Sequence, residues 1–275
     1  MTTVTKMTER LLAAWDGDVG APHPAGQTLI STTTGAAGAL NITWLPGGLA
    51  LQDVRPVESA VYLLAGSCQR CGADRTERLV AGDAVYYPPG AARDLRAPTG
   101  RGGLILEASA GDNQARPRPG EPTHQPTAPQ PGAEPADEGR PARAVAGELT
   151  GPLHQTGGFA AMDVRWIVTD VTVQARGLAL ATSCFTDGGG HDLHRHPHAD
   201  EFFLVVSGGG DQLTSDAVMQ VQRGDAVYVP AGTWHGFRAS AGVTTRAVYG
   251  YLGTPSLGAA GYELLSTQQE GIGAL

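Results

Sequence analysis

The chain has 275 residues and a net charge of −8, with no basic stripe to neutralise phosphates, which excludes nucleic acid as an expected partner. Glycine (39) and proline (19) are plentiful and aromatics make up 6%, a composition of many short strands and tight turns and not of a helical bundle. Three cysteines, an odd number, do not make a disulfide framework and point to a reducing cytoplasm.

Residues 1–30 read as an N-terminal extension holding a short amphipathic helix in "TERLLAAWDG". They contain no apolar signal-type core, and no run in the chain nears the ~20 apolar residues that span a bilayer. A cytoplasmic location, without membrane contact, is the expectation. From 31 to 110 the sequence reads as short strands bounded by Gly or Pro, such as "SAVYLLAG" at 59–66 and "GDAVYYPPG" at 82–90. Cys68-x2-Cys71 follows the first of these; with no second pair it reads as a hairpin turn with two free thiols.

Residues 111–148 contain eight prolines and almost no large apolar side chain. Such a stretch cannot offset its ordering entropy by burial, so an extended or disordered linker is expected, with His124 solvated. From 149 to 275 the short strands resume: "ALATSCF" (179–185), "EFFLVVSG" (201–208) and "GDAVYVPAG" (224–232). Cys184 reads as a small core residue.

The two strand-rich blocks repeat. Gly82 and Gly224 open near-identical segments 142 residues apart, and Gly66 with Gly208, Gly47-Gly48 with Gly189-Gly190, and Gly100 with Gly242 keep that offset. A constant register through separate turn positions indicates internal duplication.

In the second copy the spacing is Gly188-x5-His194-x-His196-x4-Glu201-x6-Gly208, then, fifteen residues on, Gly224-x5-Pro230-x-Gly232-x2-His235. His-x-His on a strand puts both imidazoles on one face. Glu201 opens the next strand after a turn, and His235 returns from a distant one. Three imidazoles and a carboxylate suit Fe(II), Mn(II), Ni(II), Cu(II) or Zn(II).

These segments resemble the two sequence motifs of the cupin superfamily, over both halves of the chain but not its first ~30 residues or the linker. The second motif usually closes on Asn four residues after its His; Ala239 stands there. The resemblance implies an all-β fold of two jelly-roll barrels in tandem, a bicupin, with one or two metal positions open to water, O2 or substrate. His198 shares parity with His194 and His196, so it either replaces Glu201 as ligand or sits solvated, or beside a ligand, in the turn; the turn reading is expected. His191 is expected at the surface.

The same offset maps His194 to Gln52, His196 to Val54, Glu201 to Ser59 and His235 to Arg93. The first barrel is therefore expected to be metal-free. Arg93 reads as a solvated charge at the barrel mouth, the alternative being a carboxylate-binding pocket. Phe203, Val205, Tyr228, Trp234 and Phe237 are candidates for the pocket wall, each equally at home in an ordinary core. Arg165, Arg238 and Arg246 are weak candidates for anchoring an anionic group.

Three functions fit. One is an Fe(II)-dependent oxygenase acting on a small aromatic, heterocyclic or natural-product-like molecule with O2, a class the resemblance implies. The others are a metal-dependent isomerase, cyclase or decarboxylase without O2, and a non-catalytic small-molecule-binding cupin. The chain is expected to be a monomer or homodimer.

Overall fold

The computed structural model describes residues 1–17, 24–72, 75–111, 140–143 (backbone only) and 158–265. The expected linker, with His124, lies outside these residues apart from Gly111 and the segment 140–143.

In chain order the first part contains β1 (Thr3–Lys6), α1 (Glu9–Trp15), β2 (Ala25–Ile30), β3 (Gly38–Leu45), β4 (Ala50–Val54), β5 (Ser59–Cys71), β6 (Thr76–Val80), β7 (Asp83–Tyr87), β8 (Ala92–Arg96), β9 (Gly103–Ala110) and β10 (Arg140–Arg143). The second part contains β11 (Phe159–Val168), α2 (Asp170–Val173), β12 (Leu178–Arg195), β13 (Asp200–Ser207), β14 (Gly209–Thr214) and β15 (Val218–Gln222). It continues with β16 (Asp225–Val229), β17 (His235–Ala239), β18 (Thr245–Leu252), α3 (Leu257–Ala260) and β19 (Glu263–Leu264). Every strand pairing in both barrels is antiparallel, as the lack of βαβ alternation predicts.

The duplication is visible strand by strand. Shifted by 142, β6, β7 and β9 coincide with β15, β16 and β18, and β5 covers β13 plus β14. Gly66 and Gly208, one offset apart, both sit at φ +75, and a Cβ on either would strike a backbone carbonyl, of Gly102 and of Thr244. Only glycine fits both bends.

Two strands cross over between the barrels. β1 pairs with β16, Thr3 opposite Tyr228 and Lys6 opposite Asp225. β10 pairs with β7, Arg140 opposite Tyr86 and Arg143 opposite Asp83. Tyr86 and Tyr228 are equivalent by the repeat, so each barrel's sheet is extended by a strand from ahead of the other barrel. The first six residues therefore belong structurally to the second barrel, while β2, also within the stretch read as an extension, pairs with β3.

Period-two alternation explains why the strands are apolar on both faces. On β13, Phe203 and Val205 point into the second barrel, whereas Phe202 and Leu204 join a core shared between the barrels. On β5, Val61 and Leu63 fill the first barrel and Ala60 and Leu64 face the shared core. That shared core takes Leu40, Ile42, Leu104 and Leu106 from one barrel and Leu178, Leu180, Val248 and Leu252 from the other. Among the described residues no helix is long and apolar enough to cross a membrane.

Candidate metal centre

β12 carries His194 near its end and delivers His196 just beyond it; after the turn at 197–199, β13 begins with Asp200 and Glu201. His235 opens β17, which pairs with β12 so that His235 stands directly opposite His194. The four side chains converge inside the second barrel. One ligand atom from each of His194, His196, Glu201 and His235 lies within 4.8 Å of all the others, and all four residues are buried. Exposures are 2%, 3%, 8% and 2%.

The second nitrogen of each ring is already committed. His194 Nδ1 lies 2.8 Å from the Asp192 carbonyl, His196 Nδ1 2.6 Å from that of Gly261, and His235 Nδ1 2.9 Å from that of Thr233. A carbonyl can only accept, so each Nδ1 carries the proton and each Nε2 presents a lone pair to the centre. Glu201 Oε2 sits 3.1 Å from His196 Nε2 and 3.3 Å from His235 Nε2. Lone pairs facing a carboxylate at that range repel unless a proton or a cation lies between them. The donor set thus fits a divalent transition metal, with backbone carbonyls fixing the ring orientations.

The electrostatics agree. Burial, reinforced by His235, pulls His194 down to about 3. Burial opposes the charge on Glu201, yet the facing His235 and His196 hold its carboxyl well below the usual range. Burial also pulls on His235, but Glu201 overrides it and holds that imidazole above its ordinary value.

The remaining sequence candidates divide. Phe203 and Phe237 line a cavity of about 10 Å³ beside the ligands, on the order of one water molecule. Val205 is buried in the barrel core and is not among the lining residues. Tyr228 faces the other barrel, donating to Asp200 Oδ2 at 3.0 Å. Trp234 lies under the Arg195 guanidinium, 4.7 Å from ring centroid to Cζ. His198 is exposed in the turn and outside the cluster.

His191 is a correction: expected at the surface, it lines the cavity next to His194, ring centroids 5.2 Å apart. Burial drives its pKa well below the ordinary value. The cause is an irregularity in pairing between His191 and His194, which breaks simple alternation on β12. The sequence reading also missed Met162, Ser183, Gln212 and Tyr249 on the cavity wall. It missed Tyr262 too, which stacks on His194 at 5.2 Å. Strand parity was the available signal for Ser183, two residues from core Phe185; nothing local marked the others.

Arg93 is a second correction. Read as solvated, it is 3% exposed. Its guanidinium grips Asp53 at 2.7 and 2.6 Å and lies 2.9 Å from Glu107. Arg55 reaches the same Glu107 oxygen at 2.9 Å. The carboxylates it binds are the protein's own. At the position of His235 the first barrel therefore places a fixed cation neutralised internally, leaving no ligand set among the described residues. Cys68 is buried and Cys71 half-buried, both on β5 ahead of the turn and not in it. Cys184 is half-buried and not a core residue; it lines a cleft of about 300 Å³ with Arg165 and Arg246, and Ser183 lines both this cleft and the cavity beside the ligands. Arg238 is exposed and lines neither cavity.

Residues 182–249 match the family model described as a cupin domain. Among solved structures, a Bacillus subtilis oxalate decarboxylase studied for its Mn(II) centres superposes with TM-score 0.62 at 14% identity, covering 88% of this chain and 74% of that one. A Lactobacillus farciminis oxalate decarboxylase in complex with formate gives 0.58 at 16%, covering 88% and 86%. The protein Ylba from E. coli gives 0.59 at 13%, covering 91% and 90%. No curated protein matches by sequence.

Proposed function

We propose that this chain, a cupin built as two barrels in tandem, is a mononuclear metal-dependent enzyme whose second barrel does the chemistry and whose first barrel is structural. The observation carrying this reading is the commitment of all three Nδ1 atoms to backbone carbonyls, which leaves three Nε2 lone pairs and Glu201 aimed at one point. His194, His196, Glu201 and His235 would hold one divalent ion. When bound, that ion supplies Lewis acidity and, if it is Fe(II), one-electron chemistry toward O2.

The chain's own groups do the rest. The carbonyl-tethered imidazoles fix the coordination direction, and Glu201 removes one unit of the ion's charge. Phe203 and Phe237 exclude bulk water and sharpen electrostatics in the cavity. Within this frame the leading reading is an Fe(II)-dependent oxygenase acting on a small molecule. The second reading, a Mn(II)-dependent decarboxylase or isomerase without O2, is favoured by the similarity to oxalate decarboxylases.

Protein purified without oxygen, loaded separately with Fe(II) and Mn(II), separates the two. Turnover of small enolic or aromatic compounds with stoichiometric oxygen uptake only in the iron form is expected. Equal turnover under strict anaerobiosis would transfer the assignment to the second reading. Absence of stoichiometric metal binding would remove both.

A further inference from the structure

The cavity beside the metal ligands has one wall that the metal does not explain. Ser183 on β12, Gln212 on β14 and Tyr249 on β18 are 4%, 3% and 6% exposed, and all three line this cavity. The Ser183 hydroxyl is fully buried with no hydrogen-bond partner. Gln212 and Tyr249, a carboxamide and a phenol, line the same cavity beside it. A buried polar group left unpaired costs about 1–3 kcal/mol, so the Ser183 hydroxyl, with a carboxamide and a phenol on the same wall, implies a ligand that satisfies it.

The charge of this wall is informative. Among the described residues no lysine or arginine lines the cavity. A divalent ion and Glu201 together leave one net positive charge. A monoanion would neutralise it, whereas a dianion would bury an uncompensated negative charge against hydroxyls and an amide. The first barrel shows the opposite choice at equivalent positions: Arg70 stands for Gln212 and Glu107 for Tyr249, and Glu107 meets Arg93 at 2.9 Å.

We infer that Ser183, Gln212 and Tyr249 form the substrate-orienting wall of the metal site, and that they select a small, neutral or singly anionic oxygen compound bearing a hydroxyl or carboxamide, against dicarboxylates. The inference rests on the metal-enzyme reading and adds the substrate class to it. Gln212, which can both donate and accept, is the discriminating member. The cavity as it stands holds about one water molecule, so the compound enters only when Met162, on the outer strand β11, swings aside.

The test is calorimetric titration of the Mn(II)-loaded full-length chain with glycolamide, glycolate and oxalate, metal content being checked after each titration. Wild type is expected to bind glycolamide and glycolate more tightly than oxalate. Gln212→Leu should weaken glycolamide about tenfold, and Ser183→Ala about fivefold, at unchanged Mn(II) stoichiometry. Gln212→Glu should weaken glycolate far more than glycolamide, a discrimination that loose packing would not produce. Tighter binding of oxalate by wild type, or wild-type glycolamide affinity in both Gln212 variants, would overturn the inference while leaving the metal reading intact. Failure of Mn(II) itself to bind would appear in the metal analysis and would overturn the underlying reading, and this inference with it.

Discussion

Glu58 and Asp200, separated by the 142-residue repeat, make the same contact in opposite directions across the barrel–barrel interface. Glu58 accepts from the backbone N–H groups of Arg176 and Gly177 and from the Tyr86 hydroxyl. Asp200 accepts from Ala37 N–H at 2.7 Å, from the Tyr228 hydroxyl at 3.0 Å, and from Ala231 N–H within its own barrel at 2.8 Å. Tyr86 and Tyr228 are themselves equivalent. Both carboxylates are buried, so removing either strands several donors. Asp200→Ala and Glu58→Ala should each cost about 3 kcal/mol, measured by urea unfolding. Asp200 also precedes Glu201, so Asp200→Ala should in addition lower metal affinity, whereas Glu58→Ala should not.

His235→Ala removes one of four donors and leaves a small cavity at a strand start. The variant is expected to stay folded by circular dichroism while its metal content falls from about one ion per chain to a small fraction of that. Gln52→Ala, at the equivalent of His194 in the first barrel, should leave the metal content unchanged.

Metal affinity should depend on pH with a definite sign. Imidazoles bind metal only when neutral, so protons compete as pH falls. His194, pulled down to about 3, offers no competition in mild acid. His235, held above the ordinary 6.5 by Glu201, protonates first. Loss of metal is therefore expected as pH falls through and below that range, followed by elemental analysis after dialysis. Retention of full metal content at pH 4 would contradict ligation by His235.

Arg93 holds two carboxylates in the first barrel. Arg93→Met would leave Asp53 and Glu107 with Arg55 alone. The expected loss is about 3 kcal/mol, the low end for breaking a buried pair because Arg55 remains in place. Differential scanning calorimetry should show this loss without any change in metal stoichiometry.

The thiols should differ in reactivity. Burial pushes Cys68 up to about 12, so almost no thiolate forms at neutral pH. Iodoacetamide should label half-buried Cys71 and Cys184 in the native protein and spare Cys68 until it is unfolded, as mass spectrometry of peptides would show.

Much of this was legible in the sequence because it rests on local periodicity. The repeat survives as strand-for-strand equivalence, and Phe203 and Glu201, of one parity on β13, both lie inside the second barrel. What was illegible depends on partners distant in the chain. Arg93 looks solvated until Glu107 arrives from β9. His191 looks peripheral until β12 proves continuous through the glycine run and its pairing shifts register. Tyr228 shares a strand with core Val227 but points the other way, and only the interface gives it a role.

The reciprocal crossing of β1 and β10 makes the two halves depend on each other. Each barrel holds a piece of backbone belonging to the other, so neither can be cut away as a self-sufficient unit. The arrangement is the one that a symmetric pair of identical chains would make if joined end to end, so the first barrel's backbone completes the second barrel's sheet whatever side chains it carries at the positions of the ligands.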